Sequence, residues 1–240
     1  MPWFYAVAER DHELQNPTSA EKVRLLGEYL RLGPPSEVLD VAAGKCGPAI
    51  ILAREFGCRI TAVERAPEFV AAARERVATA RLGDRIDIVE SDARAYELGL
   101  GRFDAALCLG ASFVWDDLSG TLAALAPAVR ERGAVVVGEP FWRRWPLPDG
   151  VEDQGYVPLA DTVRRFEAAG LRIEGLIASS EDDWDRYKSL HWRALEEWLA
   201  TNPDDPDARR IRELHERYRD EYLTRRRELL GWAVFVGRKG

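Results

Sequence analysis

The chain reads as an α/β protein built on a mostly parallel sheet with helices on both faces. Three observations lead there. Seven short runs rich in β-branched residues alternate with helical segments over most of the length. Several of those helices run into a glycine, the residue that best takes the left-handed position after a helix. The first run leads through a glycine-bearing turn directly into a helix, as in open sheets that bind ligands at their strand ends.

In chain order, residues 1–35 read as an N-terminal lid segment followed by one helix, TSAEKVRLLGEYLRLG (18–33). The stretch 36–178 reads as the sheet core. Its strands are EVLDVA (37–42), RITAVE (59–64), RIDIVES (85–91), FDAALCLG (103–110), AVVVGE (134–139) and LRIEGLIA (171–178). Between them lie helical patterns at 48–57, 67–83, 119–133 and 160–170. Pro67 suits a first helical turn, where its missing N–H costs nothing. The pattern then changes. Residues 179–230 read as a helical insertion: a helix with Glu181, Asp182 and Asp183 in its first turn, a break at NPDDPD (202–207), and a second charged helix from 208. Residues 231–240 return to the sheet as a last strand.

Composition narrows the function. With 240 residues, 46% apolar and 31% charged, the chain can bury a full core and is not a disordered protein. Thirty-four basic against 41 acidic residues give a net charge of −7, which argues against nucleic acid as a partner. Cys46, Cys58 and Cys108 show no ligand spacing among themselves or with His12, His191 and His215, so neither disulfides nor a metal site is expected. No apolar run approaches the roughly 20 residues of a membrane span, and acidic residues come too early for a signal peptide. A reduced, cytoplasmic protein, monomer or homodimer, is the expectation.

The chemistry concentrates at strand ends. DVAAGKCGPA (40–49) offers small residues, Ala42, Ala43, Gly44 and Gly47, against which a ligand can approach the backbone. The second strand ends at Glu64, where a carboxylate can accept from a ribose diol. The third ends in SDA (91–93), where Asp92 can receive an amino group. A dinucleotide enzyme is the obvious rival, but 42–47 reads AAGKCG rather than GxGxxG, and no second nucleotide-binding half follows.

At LDVAAGKCG (39–47), AVER (62–65), ESDAR (90–94), FDAALCLGAS (103–112) and GAVVVGEPFW (133–142), the sequence resembles the class I S-adenosylmethionine-dependent methyltransferases. HELQNPT (12–18), DWDRY (183–187) and GWAVF (231–235) resemble a bacterial subgroup of small-molecule type with a helical insertion before the last strand. The resemblance implies a Rossmann-like seven-stranded sheet, S-adenosylmethionine as cofactor with S-adenosylhomocysteine as product, and no metal. It further implies that Ala42 and Gly44 flank the methionine moiety and that Asp40 holds the turn or the ammonium. By the same resemblance Glu64 binds the ribose, Arg65 lies under the adenine, Asp92 and Ala93 read the adenine edge, and Leu109 and Gly110 face the sulfonium. Ala42 and Cys46 stand where the family usually has glycine.

For the acceptor, methyl transfer by in-line displacement needs alignment and dry surroundings, and a base only if the nucleophile must lose a proton. Glu139 is the first candidate base; its other reading is a structural carboxylate paired with Arg143. His12, in the segment that would cover the cofactor, is a second candidate or an incidental lid residue. Ser112, Trp115, Trp142, Trp145, Trp184 and Tyr187 are candidate acceptor contacts. Aromatic walls with acidic neighbours suit a cationic amine or an aromatic heterocycle. Trp184, Tyr187, His191, Leu195 and Trp198 also fit the i, i+3/i+4 spacing of a helix face packed on the sheet. Arg225, Arg226 and Arg227 read as a solvated or paired run. Three functions are therefore carried: a small-molecule N- or O-methyltransferase, a non-catalytic S-adenosylmethionine-binding regulatory partner, and a protein or nucleic-acid methyltransferase.

Overall fold

Seven strands join in one sheet of order β3-β2-β1-β4-β5-β7-β6. They are β1 (Glu37–Val41), β2 (Arg59–Glu64), β3 (Ile86–Glu90), β4 (Phe103–Leu109), β5 (Val129–Trp142), β6 (Leu171–Ala178) and β7 (Leu230–Lys239). This computed structural model describes residues 4–240, so Met1, Pro2 and Trp3 of the expected lid lie outside the described residues. All pairings are parallel except those of β7, which runs antiparallel to both β5 and β6. The fold is a Rossmann-like seven-stranded mixed sheet with one antiparallel strand, β7.

Period-two alternation divides the buried residues between two faces. Val38, Ala105, Leu107, Val136, Val234 and Val236 pack on one side, with Leu26 of α2 (Ala20–Leu30), Leu52 of α3 (Gly47–Phe56) and Val77 of α4 (Pro67–Thr79). Leu39, Val41, Ala106, Val135, Val137 and Phe235 face the other, under Leu122 and Leu125 of α5 (Leu118–Leu125) and Phe166 of α6 (Leu159–Ala168). The central strands are apolar on both sides because both faces are covered.

The region 119–133 keeps its helical pattern only in its first half. The helix α5 stops at Leu125, just before Pro127, whose missing N–H cannot continue the ladder. The charged VRERG run is the beginning of β5 instead: Val129 pairs with Phe103, and Arg130 ion-pairs with Asp104. The second inserted helix is also shorter than its pattern. Helix α8 (Ala208–Glu221) gives way to a π turn at Tyr222–Arg226, which leads through Arg227–Leu229 into β7.

Helix α7 (Glu181–Thr201) opens with a reciprocal capping box between Ser180 and Asp183. Its aromatic face does not pack wholly on the sheet. Trp184 and Tyr187 do, but Leu195 and Trp198 close a separate cluster with α1 (Phe4–Ala8) and α8 (Ala208–Glu221). The insertion is thereby joined to the N-terminal segment, and the two cover the strand ends from one side. Among the described residues, no helix is long and apolar enough to cross a membrane.

Candidate functional site

Where the strand order reverses, between β1 and β4, the carboxyl ends of the strands leave a crevice of about 310 Å³. Asp40, Ala42, Gly44, Glu64, Arg65, Asp92, Ala93, Leu109 and Gly110 all line it. The turn after β1 takes the left-handed conformation at Ala42 (φ 52°), Gly44 (φ 55°) and Cys46 (φ 56°). The backbone path that usually calls for glycine is thus kept by two L-residues, at some strain.

Glu64 ties two turns together. One carboxylate oxygen accepts from the Gly44 N–H (2.9 Å), the other from the N–H groups of Arg65 (2.9 Å) and Ala66 (2.8 Å). Asp92 accepts from the Arg94 N–H (2.9 Å) and pairs with Arg65 (3.2 Å), which holds its carboxyl below the usual range. Asp40 is different. It is 2% exposed and has no hydrogen-bond donor among the described residues. Burial, with the Glu64 charge added, pushes its carboxyl up to about 7.

The N-terminal segment forms the fourth wall. The Gln15 side chain accepts from the Lys45 N–H (2.7 Å), and Asn16 donates to the Leu109 carbonyl (3.0 Å). Gly44 and Gly110 make room for them, since a Cβ at either position would lie 2.2 Å from the Gln15 or Asn16 side-chain oxygen. Lys45 reaches back to the carbonyls of Glu9 (2.6 Å) and Arg10 (3.0 Å). Glu9 in turn accepts from His191 (2.6 Å) and Tyr187 (3.2 Å) on α7. Burial raises the Glu9 pKa, but the His191 hydrogen bond and the nearby histidine charges outweigh it and keep the carboxyl below its usual range.

His12 belongs to this latch and not to a reaction site. It is 1% exposed, bonds the Tyr187 carbonyl through Nε2 (2.9 Å), places Nδ1 3.6 Å from Glu9, and lines neither crevice. The donor atoms of Glu9, His12 and His191 lie within 4.8 Å of one another, a grouping that a search of sequence spacing could not find.

A second cavity, of about 370 Å³, adjoins the first at Asn16, Gly110 and Phe113. Glu139, Ser112, Trp184 and Tyr187 line it. Glu139 is 7% exposed, and one of its oxygens, Oε2, is buried without any hydrogen-bond partner. Burial pushes its pKa up to about 7, against a lowering from the Ser112 hydrogen bond and the Arg165 charge. The suggested Arg143 partner is elsewhere, donating to the Leu230 carbonyl (3.4 Å).

Three aromatic expectations are corrected. Trp142 is 1% exposed, in the core, with its N–H on the Asp153 carbonyl (3.0 Å). Trp145 is 55% exposed and lines neither cavity. Trp115 packs under the sheet, leaving its neighbour Phe113 at the junction of the two cavities. The cavity walls that sequence patterning missed include Tyr156, Tyr222 and Trp232, each contributed by an element remote in sequence.

Comparison with known proteins agrees with this geometry. The family described as "Methyltransferase domain" matches residues 38–133. The chain is 28% identical over 243 residues to the uncharacterized protein YjhP of Escherichia coli K12, covering 98% of each. Its fold is similar to that of a SAM-dependent methyltransferase from Thiobacillus denitrificans in complex with S-adenosyl-L-homocysteine (TM-score 0.93, 28% identity, 100% and 99% coverage). A SAM-dependent methyltransferase from Geobacter sulfurreducens, also in complex with S-adenosyl-L-homocysteine, is similar to the same degree (TM-score 0.93, 29% identity, 100% and 99% coverage).

Proposed function

The chain belongs to the class I S-adenosylmethionine-dependent methyltransferases, in a YjhP-like bacterial subgroup, and from that premise we propose that it methylates a small molecule at N or O, held in the second cavity with Glu139 as base. One observation carries the reading. The strand-end crevice and a second cavity, holding a buried carboxyl whose pKa is pushed up to about 7, meet at Gly110, Asn16 and Phe113.

The first crevice fits the cofactor on its own chemistry. Asp40 is a buried carboxyl without a donor beside a second carboxylate, an arrangement relieved by a bound cation such as the cofactor's ammonium. Glu64, with three backbone donors already placed, keeps one acceptor position for a ribose hydroxyl. Asp92 and the Ala93 N–H would meet the adenine, with Arg65 alongside. Bound there, S-adenosylmethionine supplies a methyl group on a sulfonium, already activated for displacement. The protein's task is then to align the acceptor, exclude water and, where needed, remove a proton. Glu139 at about 7 is well placed for that proton, since a base titrating near working pH is both ionised and basic enough.

The size of the second cavity, about 370 Å³, supports a small acceptor over a polymer. The test is S-adenosylhomocysteine release with a panel of small hydroxy and amino acceptors, for the wild type and Glu139→Gln. The expected result is turnover on a small molecule and a loss of roughly 100-fold or more in kcat for the variant. Turnover only on protein or RNA, or an unimpaired variant, would overturn the assignment.

A further inference from the structure

The second cavity holds an arrangement that methyl transfer alone does not call for. Lys188, on the inner side of α7, points its ammonium among three rings, 5.6 Å from the Trp184 centroid, 5.4 Å from Tyr187 and 6.0 Å from Tyr222. Among the described residues it makes no hydrogen bond and no ion pair. The two carboxylates whose charges reach it are otherwise engaged: Glu9 by His191 (2.6 Å) and Glu221 by Arg226 (2.7 Å). Across the same cavity the guanidinium of Arg165, on α6, makes no hydrogen bond or ion pair among the described residues, although its charge reaches Glu139.

Lys188 and Arg165 are both half-buried, so each has given up part of its hydration without gaining a counter-charge at hydrogen-bond distance. Ring faces return only part of that cost to an ammonium. Burial first, and the Arg226 charge second, accordingly push Lys188 down to about 8. A cavity lined by Lys188 and Arg165, neither of them in an ion pair, and by a carboxyl with one unpartnered oxygen is complementary to a ligand carrying a negative charge and a protic group. It also repels the cationic amine that its aromatic walls suggest, since the cage is already filled by a cation of the chain itself.

Resting on the reading of this cavity as the acceptor site, we propose that the acceptor is an aromatic or other planar carboxylic acid, its carboxylate bound by Lys188 and Arg165 and its hydroxyl or amino group presented to Glu139. Lys188 and Arg165 are then specificity-determining residues, selecting acids over their neutral and cationic analogues. No carboxylate of the chain needs to move to create the site.

The test uses the S-adenosylhomocysteine-loaded protein, titrated calorimetrically with benzoate, benzamide and benzylamine, which share one ring and differ in charge. Benzoate should bind at least tenfold more tightly than the other two. Lys188→Met should remove that preference, and Lys188→Arg should restore most of it. Equal binding of the three, preference for benzylamine, no binding of benzoate, or an unaffected Lys188→Met would each overturn the proposal. S-adenosylhomocysteine titration of the same samples reports the cofactor crevice separately. If it binds while benzoate does not, the anion site fails and methyl transfer stands. If benzoate binds through Lys188 while Glu139→Gln turns over normally, the assigned base fails and the anion site stands.

Discussion

Replacing Glu64 tests the cofactor crevice at the residue on which its geometry depends. Glu64 accepts from the backbone N–H groups of Gly44, Arg65 and Ala66 at 2.8–2.9 Å, and so fixes the turns after β1 and β2 together. A hydrogen bond to a charged group contributes roughly 1.5–3 kcal/mol, and water entering the crevice recovers part of what is lost, so Glu64→Ala should destabilise the fold by about 3–5 kcal/mol. At roughly 2–4 °C per kcal/mol for a chain of this size, the melting temperature should fall by roughly 6–20 °C. Glu64→Gln keeps one oxygen for Arg65 and Ala66 but turns a donor toward Gly44, and about half the effect should remain. Affinity for S-adenosylhomocysteine, measured by calorimetry well below the melting temperature, should fall by at least about 1.5 kcal/mol in Glu64→Ala. A melting temperature within about 2 °C of the wild type would refute the structural part of the reasoning. Unchanged affinity in a folded variant would refute the ribose assignment.

The remaining predictions concern the second cavity, the latch and the core. Glu139 is raised from 4.5 to about 7, so the folded protein holds a proton there that the unfolded chain has released; stability from this group is full below pH 4.5 and is lost as pH rises through 7. At 1.36 kcal/mol per pKa unit that difference is about 3 kcal/mol, and Glu139→Gln should match the wild type near pH 4.5 and be more stable at pH 8; a difference independent of pH in thermal melts refutes it. Glu9→Gln removes the carboxylate that binds α7 to the N-terminal segment, and should speed hydrogen exchange at residues 9–16 and accelerate S-adenosylhomocysteine release several-fold. No change in exchange would show that the latch does not hold the segment. Trp142→Phe loses the bond to the Asp153 carbonyl and some core volume, and should cost about 1–3 kcal/mol of stability with acceptor KM unchanged; a raised KM would return Trp142 to the acceptor site.

Legibility followed the range of the signal. Strands and the residues lining the strand-end crevice were readable because each rests on local pattern: alternation within one strand, and a small-residue or acidic signal just past its end. The turn at 40–49, Glu64 and Asp92 are separate signals, and one sheet topology brings them together at the switch point. The second half of 119–133 is the reverse case: 119–125 is helical as its pattern predicts, while VRERG becomes the irregular start of β5, with Val129 paired to Phe103 of β4. Tyr156, Tyr222 and Trp232 carry no local signal, because only the return of β7 between β5 and β6 brings them to the cavity.

The acceptor's charge shows the same limit more sharply, since sequence counts charges and a site responds only to those left unpaired. The acidic residues around the insertion suggest a cationic acceptor until their partners are visible. Asp116 pairs with Arg94, and Asp117 caps α5 through the Gly120 N–H. Asp183 caps α7 and pairs with Lys22, and Asp185 is engaged by Arg227 and Tyr222. Their fields are therefore largely answered within the protein before any ligand arrives. What the cavity still presents is Lys188, Arg165 and the free oxygen of Glu139, two cations and one carboxyl whose pKa burial pushes up to about 7. A net charge of −7 is therefore no argument against the proposed anion site, since the sign of the whole chain does not set the sign of one cavity.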